Sequence, residues 1–486
     1  MLRPFWSALR SLGSRQRVLG GAVVAGLAAA PPSSAPAADA RLPASDGKAA
    51  EPSAGGSAPR GSAPRGSPAI AIRRTRLDNG LRVVLSRDTS LPTVAICVTY
   101  DVGSRNEGAG QRGFAQLLER LMFQGGGSVG AGEHQRWIAE HGGQSAAESS
   151  EDRTRYVDWL PANALALGLW LEAERMRSLE LSRAAVERER ARAGSAPSLP
   201  EAQPGSLAPQ ALQALVFRDY PPYAQPGGNS EPAGAAAADP LPALLDFHRR
   251  YYAPNNAVLS VAGNFELLDT LNLIQTYFSQ IERVSLAPAP GGEIPEQTEA
   301  RSAVLEGTPG QGSVLWQGWA IPALRTPEHD ALELAAAILG TGVSSRLHQL
   351  LVLDKSQARS VAVWTEGHRG PDLFAIQVAL ADGADPEQVR HLIQAQVASL
   401  GRFGPSPAEL ARAQNQLRVG LLHEIDGNRA RASALADAEL SAHDARLLES
   451  DFERYQRVSR EAVQRAVARY LRNTSRSDVL LRPRRS

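Results

Sequence analysis

The residues of this chain whose types and spacing bear on chemistry lie on one turn of an apolar helix. In Gly113-Phe-Ala-Gln116-Leu-Leu-Glu119-Arg120-Leu-Met-Phe-Gln124-Gly-Gly-Gly127, Gln116 and Arg120 stand four residues apart and share a helix face, with Glu119 beside them. With histidine at both ends the pattern would be H-x-x-E-H, in which two imidazoles one turn apart hold zinc and the glutamate activates a water. Both histidines are missing here. Glutamine is a poor zinc ligand, and a guanidinium does not lose its proton to coordinate a metal. Glu119 keeps the position of a general base without the usual metal beside it.

Other reactive groups offer less. The single cysteine, Cys97, sits in the apolar run Thr93-Val-Ala-Ile-Cys-Val-Thr-Tyr100, so it has no internal disulfide partner and reads as a buried strand residue. Of nine histidines only His134 and His141 are close neighbours. No acid or third ligand accompanies them at metal spacing, and they read as surface or cap histidines. Gly340-Thr-Gly-Val-Ser-Ser345 lacks the lysine and spacing of a phosphate-binding loop, which leaves a tight connection into a helix.

A chain of 486 residues exceeds one ordinary core and implies several units. Its 52 basic and 51 acidic side chains leave a net charge of +1, with no field for nucleic acid or an anionic membrane. Residues 1–38 carry Arg3, Arg10, Arg15 and Arg17, run apolar from Val18 to Ala30 and end in small residues around Ala35-Pro-Ala37-Ala38. This is the pattern of a secretory signal peptide, cleaved between Ala37 and Ala40, and the apolar block is short of a membrane span. Export to the periplasm or outside the cell is expected, with no membrane attachment after signal removal; a mitochondrial transit peptide is the runner-up. Residues 39–69, rich in Pro, Gly, Ser and Ala with the repeat Gly-Ser-Ala-Pro-Arg at 56 and 61, read as a disordered linker.

The elements that must position the polar turn follow in order. Asp78-Asn79-Gly80 between Ile72–Leu77 and Leu81–Leu85 predicts a hairpin with a tight primed turn. Thr93–Val102 reads as a buried strand leading into the polar helix. A second helix is expected over Glu133–Glu140, stopped by Gly142-Gly143, then a strand through Thr154-Arg-Tyr156-Val-Asp-Trp-Leu160, a long helix after Pro161, and a charge-dense helix through Arg183–Arg190. Leu286–Ala300 is rich in Pro, Gly and Glu and marks a boundary. Beyond it come a strand over Ser313–Ile321, a helix over Glu328–Leu339, strands at Ser360–Trp364 and Leu373–Leu380, helices from Pro386, Pro407 and Glu461, and a last strand near Val479–Leu481.

Taken together these pieces resemble the pitrilysin/insulinase family of inverted-motif zinc peptidases, which includes the mitochondrial processing peptidase. The resemblance rests on Leu77-Asp-Asn-Gly80, Gly103-Ser-Arg105, Gly113-Phe-Ala with Glu119 and Leu121-Met-Phe-Gln-Gly125, and Gly142-Gly143 followed by Asp152-x-Thr154-x-Tyr156. It extends through Trp170-Leu-Glu-Ala-Glu-Arg-Met176 and Phe247-His-Arg-Arg-Tyr-Tyr-Ala-Pro-Asn-Asn-Ala-Val-Leu259 to Ala262-Gly263-Asn264, all in the family's order. It implies an α+β fold of two homologous domains, each a mostly antiparallel sheet with helices packed on one face. The domains are expected at 70–285 and 301–486, joined by a linker at 286–300.

Carried over by the resemblance, the zinc-ligand positions fall on Gln116, Arg120 and Glu189, and the general-base position on Glu119. The family's peptide-binding edge strand reads Asn-Ala where this chain has Ala146-Ala147, and an arginine–tyrosine pair that helps grip substrate falls on Val352 and Arg359. Arg120 is expected to neutralise the two carboxylates by pairing bidentately with Glu189 or Glu119, so that the vestigial site joins helices instead of catalysing. The plainer alternative is of ordinary charges on a helix surface. The implied function is a degenerate, non-catalytic subunit that needs no cofactor. It pairs with a zinc-bearing homologue around peptides or unfolded polypeptide, because the family's clamshell needs four such domains. Two alternatives remain: an active zinc peptidase using Glu119, Glu189 and a histidine such as His134 or His141, and a peptide-binding scaffold without protease activity.

Overall fold

The computed structural model describes residues 70–195, 207–224, 239–286, 288, 290–307 and 312–483. The signal peptide and linker expected over 1–69 lie outside the described residues. Two sheets organise the chain. The first is built from β1 (Arg73–Arg76), β2 (Arg82–Arg87), β3 (Thr93–Tyr100), β4 (Gln144–Ser149), β5 (Thr154–Pro161) and β6 (Ala257–Gly263), in the order β1-β2-β6-β3-β5-β4. The second contains β7 (Arg301–Glu306), β8 (Val314–Ile321), β9 (Ala358–Thr365), β10 (Asp372–Leu380) and β11 (Ser477–Arg482), in the order β7-β11-β8-β10-β9. The series β2-β6-β3-β5-β4 and β7-β11-β8-β10-β9 match in order and sense. Each has one parallel pair, β2 with β6 and β7 with β11, and is otherwise antiparallel. The duplication expected from the resemblance is therefore a property of the topology, although the two halves share little sequence.

The hairpin at Asp78-Asn79-Gly80 forms, but with a wider connection than a two-residue primed turn, since Arg76 pairs with Arg82. Only Gly80 takes a positive φ, of 95°. Asn79 is buried because its amide donates to the carbonyls of Phe278 and Ile281, tying the turn to a distant helix end.

The helices of the first half are α1 (Phe114–Leu121), α2 (Glu133–Glu140), α3 (Leu165–Arg177), α4 (Arg183–Ser195) and, after the segment described next, α7 (Leu241–Tyr251) and α8 (Leu267–Phe278). Between them, α5 (Leu207–Val216) and the short α6 (Pro221–Ala224) leave this half altogether. The second half supplies α9 (Pro327–Gly340), α10 (Pro386–Phe403), α11 (Pro407–Glu424), α12 (Gly427–Ala442), α13 (Leu447–Arg454) and α14 (Arg460–Tyr470), with a π-helical turn over His348–Asp354. Several starts are written locally: Thr326, Asp385, Ser406 and Ser459 cap α9, α10, α11 and α14 through their side chains, and Ser406 with Glu409 forms a capping box. Among the described residues no helix is long and apolar enough to cross a membrane.

Each sheet carries its own half's helices on one face. On the first sheet Val83, Leu85, Ile96, Val98, Tyr156 and Leu160 face Phe114, Leu117, Leu171 and Ile274. Its opposite face, with Val84, Ala95, Cys97, Val157 and Val258, is covered by Ala432, Leu435, Ala436 and Leu440 of α12, from the other half. The exchange is mutual. Trp316, Trp364, Ala375, Val479 and Leu481 on the second sheet pack against Ala208, Leu212, Phe217 and Tyr223 of α5–α6. Gly318 permits this approach, since a Cβ there would stand 3.1 Å from Leu212.

Leu435 is fully buried in this cross-half contact. Leu435→Ala is expected to cost about 2–5 kcal/mol of stability, and to lower amide-exchange protection in β3 and β6 as well as in α12. Unchanged protection in β3 would show that the first sheet does not depend on the borrowed helix.

Candidate functional site

α1 is amphipathic: Phe114, Leu117, Leu118 and Leu121 enter the core, while Gln116, Glu119 and Arg120 stay on the partly exposed side. Its first turn begins at Gly113, where φ is 80°, and has no side-chain cap of its own. Glu107 supplies one from outside, accepting from the N–H of Gly113 at 2.7 Å and of Ala115 at 2.9 Å. Burial pushes the Glu107 carboxyl up to about 7 against those bonds. The helix ends in the three glycines because the chain must pass closely there. A Cβ on Gly126 would fall 1.2 Å from the Ser178 carbonyl oxygen.

The three ligand positions do come together. α4 looks solvated from its charges, yet Ala185, Val186 and Glu189 turn inward, and Glu189 is 4% exposed. Its Oε2 lies 3.6 Å from Arg120 Nε, and its Oε1 accepts from Arg192 at 2.9 Å. The Arg120 contact is an ion pair longer than a hydrogen bond, so the bidentate pairing expected from the sequence does not form. Glu119 does not join it: burial raises its pKa, with Ser149 on β4 and Arg120 opposing and Glu148 reinforcing. Gln116 occupies the same helix face one turn earlier.

These residues do not fit zinc. A permanent cation stands beside Glu189, and a second arginine holds the same carboxylate. Among the described residues, two groups of His, Asp and Glu are close enough to share a cation, His134–Asp158–Glu172 and His329–Asp330–Glu333. Neither contains Glu119 or Glu189.

Ala146 and Ala147 lie on β4, which is an edge of the first sheet, opposite Val157 and Tyr156. Val352 sits in the π-helical turn and Arg359 on β9, where it pairs with Asp382 at 3.4 Å. The motif residues Arg105 and Asp152 are structural. Buried Asp152 accepts from Arg105 Nη1 (2.8 Å), the Tyr223 hydroxyl (2.7 Å) and the Arg369 N–H (2.8 Å), so it ties the first sheet to α6 and to the second half.

The reading of His134 as a surface or cap residue is overturned, while His141 is exposed as expected. His134 is buried, with Nε2 2.8 Å from Asp158 Oδ2, and Arg175 Nη2 lies against the ring edge, 2.7 Å from Nε2 and 3.0 Å from Nδ1. The proton on Nε2 goes to Asp158, and Nδ1 accepts from the guanidinium. Arg175 also pairs with Glu172 at 3.4 Å and lies 4.4 Å over the rings of both Phe123 and Tyr156. Burial, then the Arg175 charge, holds His134 below its ordinary pKa. Burial drives Glu172 well above the carboxylate range; the Arg175 charge opposes this and the Asp158 charge reinforces it. Burial alone would raise Asp158 too, but His134 and Arg175 outweigh it and keep it ionised. Arg175 thus fills the place a metal would take. The signal was present in the sequence as lone polar residues inside apolar patterns, at Asp158 in β5 and at Glu172 and Arg175 in α3.

Residues 82–222 match the insulinase family (peptidase family M16), and residues 241–417 match the peptidase M16 inactive domain. The chain is similar to an uncharacterized zinc protease of Mycobacterium tuberculosis, 28% identical over 425 residues, with 83% of this chain and 91% of that protein covered. It is also similar to cytochrome b-c1 complex subunit 1 from the mitochondria of Rattus norvegicus, 26% identical over 369 residues, covering 72% of this chain and 74% of the relative. The crystal structure of a protease from Helicobacter pylori shares the fold with a TM-score of 0.76 at 24% identity, covering 85% of this chain and 100% of that one.

The buried cluster has a pH signature with two signs. His134 is held neutral, so below its unfolded pKa of 6.5 acid favours the unfolded chain. Glu172 is held protonated, so above 4.5 base favours the unfolded chain. Glu172→Gln, which keeps the shape but has no proton to lose, is expected to raise the melting temperature at pH 8 by about 2–4 °C, the shift for ~1 kcal/mol in a unit of this size, with little change at pH 4.5. A thermal melt series over pH checks this; an equal shift at both pH values would refute the assignment.

Proposed function

The chain belongs to the insulinase family (peptidase family M16), and on that premise we propose that it is a non-catalytic subunit that pairs with a zinc-bearing homologue and helps hold peptide for it. The observation that carries this reading is the replacement of both imidazole positions by Gln116 and Arg120, with Arg120 turned onto Glu189. A zinc ion needs deprotonated ligands converging on one point. Here a fixed positive charge stands among the ligand positions, and the Glu189 carboxylate is committed to Arg192.

Pairing is supported by architecture. The chain carries two duplicated sheet-and-helix halves, half of the four-domain chamber that the family's peptidases use, so a second chain completes it. The similarity to a named subunit of the cytochrome b-c1 complex is in keeping with this scaffold serving as a subunit. The leader at 1–38 supports export to the periplasm or cell exterior, where the partner would be met. The edge strand β4 supports handling of extended peptide through main-chain bonds, which do not need the missing asparagine.

Metal analysis of the purified chain is expected to find no stoichiometric zinc. Mixed with a zinc-bearing homologue it is expected to co-elute, and chelator-sensitive cleavage of a reporter peptide should appear only with both chains present. Chelator-sensitive cleavage by this chain alone would overturn the proposal. The double variant Gln116→His with Arg120→His is expected to bind about one zinc per chain, since Glu189 would then face two imidazoles; failure to bind would show that the lesion extends beyond the two ligands.

A further inference from the structure

The duplication leaves one place filled in the first half and open in the second. β2 is flanked on its outer side by β1, which runs antiparallel to it from Arg73 opposite Leu85 to Arg76 opposite Arg82. β7 holds the corresponding place in the second sheet, and no further strand joins it among the described residues. Its main-chain polarity follows from the two ends of its ladder with β11. The Arg301 N–H donates to the Arg476 carbonyl at 2.9 Å and the Gly307 N–H to the Arg482 carbonyl at 2.7 Å. Alternation along the strand then turns the N–H and C=O groups of Ala303 and Leu305 toward β11, and those of Ser302, Val304 and Glu306 away from it.

The side chains of those outward residues are exposed as well, Val304 at 60%, whereas Ala303 and Leu305 pack toward α5. An edge strand is ordinarily guarded by a charge, a proline or a bulge along its length. β7 has none of these from Ser302 to Leu305; its charges stand at the ends, and Arg301 is held by the Leu215 carbonyl at 2.6 Å and by Asp219. The edge is also complementary to itself. In an antiparallel pair centred on Val304, outward residues meet outward residues: Val304 meets its own copy, and Ser302 meets Glu306. An apolar side chain is covered by its equal, a hydroxyl donor faces a carboxylate, and no like charges are opposed.

We propose that β7 pairs antiparallel with β7 of a second copy of this chain about a two-fold axis through Val304, joining the two second-half sheets into one. The copy's strand takes the place beside β7 that β1 takes beside β2. This contact is separate from the pairing with a zinc-bearing homologue and does not depend on it.

The test uses the full chain alone. Sedimentation equilibrium is expected to show the mass rising toward twice that of one chain between about 1 and 100 µM, since an interface of one strand edge is small. Val304→Pro removes only an outward N–H and leaves the ladder with β11 intact, so it is expected to hold the chain at its single mass, with circular dichroism confirming the fold. Val304→Cys should form a disulfide-linked dimer on mild oxidation, because an opposed hydrogen-bonded pair stands about 5.5 Å apart at Cα, within disulfide reach. Cys97 is buried and stays out of that reaction. Ser302→Cys should not cross-link, being offset from its own copy by about 14 Å along the strand. A chain that remains single up to about 100 µM, a dimer that survives Val304→Pro, or equal cross-linking at Ser302→Cys overturns the inference. Cross-linking of Val304→Cys only to an added homologue overturns the second copy as the occupant of the edge.

Discussion

A sheet that is apolar on both faces needs two covers, and each half of this chain supplies only one from its own sequence neighbourhood. The first sheet lends its second face to α12, and the second sheet to α5 and α6. Burial of apolar surface is the dominant favourable term in folding and has no preference for sequence-local partners. The exchange therefore makes the two halves depend on each other, which the linker expected at 286–300 would not do by itself. Polar bonds add register to that apolar contact. Asn428 donates to the Thr93 carbonyl at 2.9 Å, Arg74 forks onto Glu439, and Asp152 gathers donors from both halves.

Within this frame, arginine is the cation that the interior uses. Arg175 lies over two aromatic rings, donates to His134 and pairs with Glu172 in a site almost closed to water. The second half has a comparable arrangement at the start of α9, the counterpart of α1. His329 Nε2 lies 2.8 Å from Asp372, and Glu333 accepts from the Tyr455 hydroxyl at 2.5 Å beside Arg454. A buried carboxylate must be paired or protonated, and both solutions occur side by side at Asp158 and Glu172. Arg120 differs from these. It is partly exposed and its ion pair with Glu189 is loose.

Local patterns carried much of the fold. The strands at 93–100, 154–161, 314–321 and 372–380 were legible as apolar or alternating runs, α2 by its glycine stop, and α9, α10 and α11 as proline-started helices. α12 was not legible. It is buried around most of its circumference, at Asn428, Ala432, Leu435, Ala436, Ala438, Glu439 and Leu440, so it shows no single apolar stripe. β7 was hidden because its alternate residues are exposed at an edge. Asn79 read as a turn residue, while its amide in fact secures a helix end far along the chain.

The sequence by itself determined the loss of both imidazoles at Gln116 and Arg120, the neutral overall charge and the family's order of motifs, because each is a matter of residue identity or of local spacing. Only the tertiary structure decided what the remaining charges do. Whether Glu189 faces water or Arg120, whether His134 is a surface residue or the partner of Asp158, and which half covers which sheet all depend on contacts between residues far apart in the chain. Burial, which sets the ionisation of Glu119, Glu172 and His134, exists only once those contacts have formed.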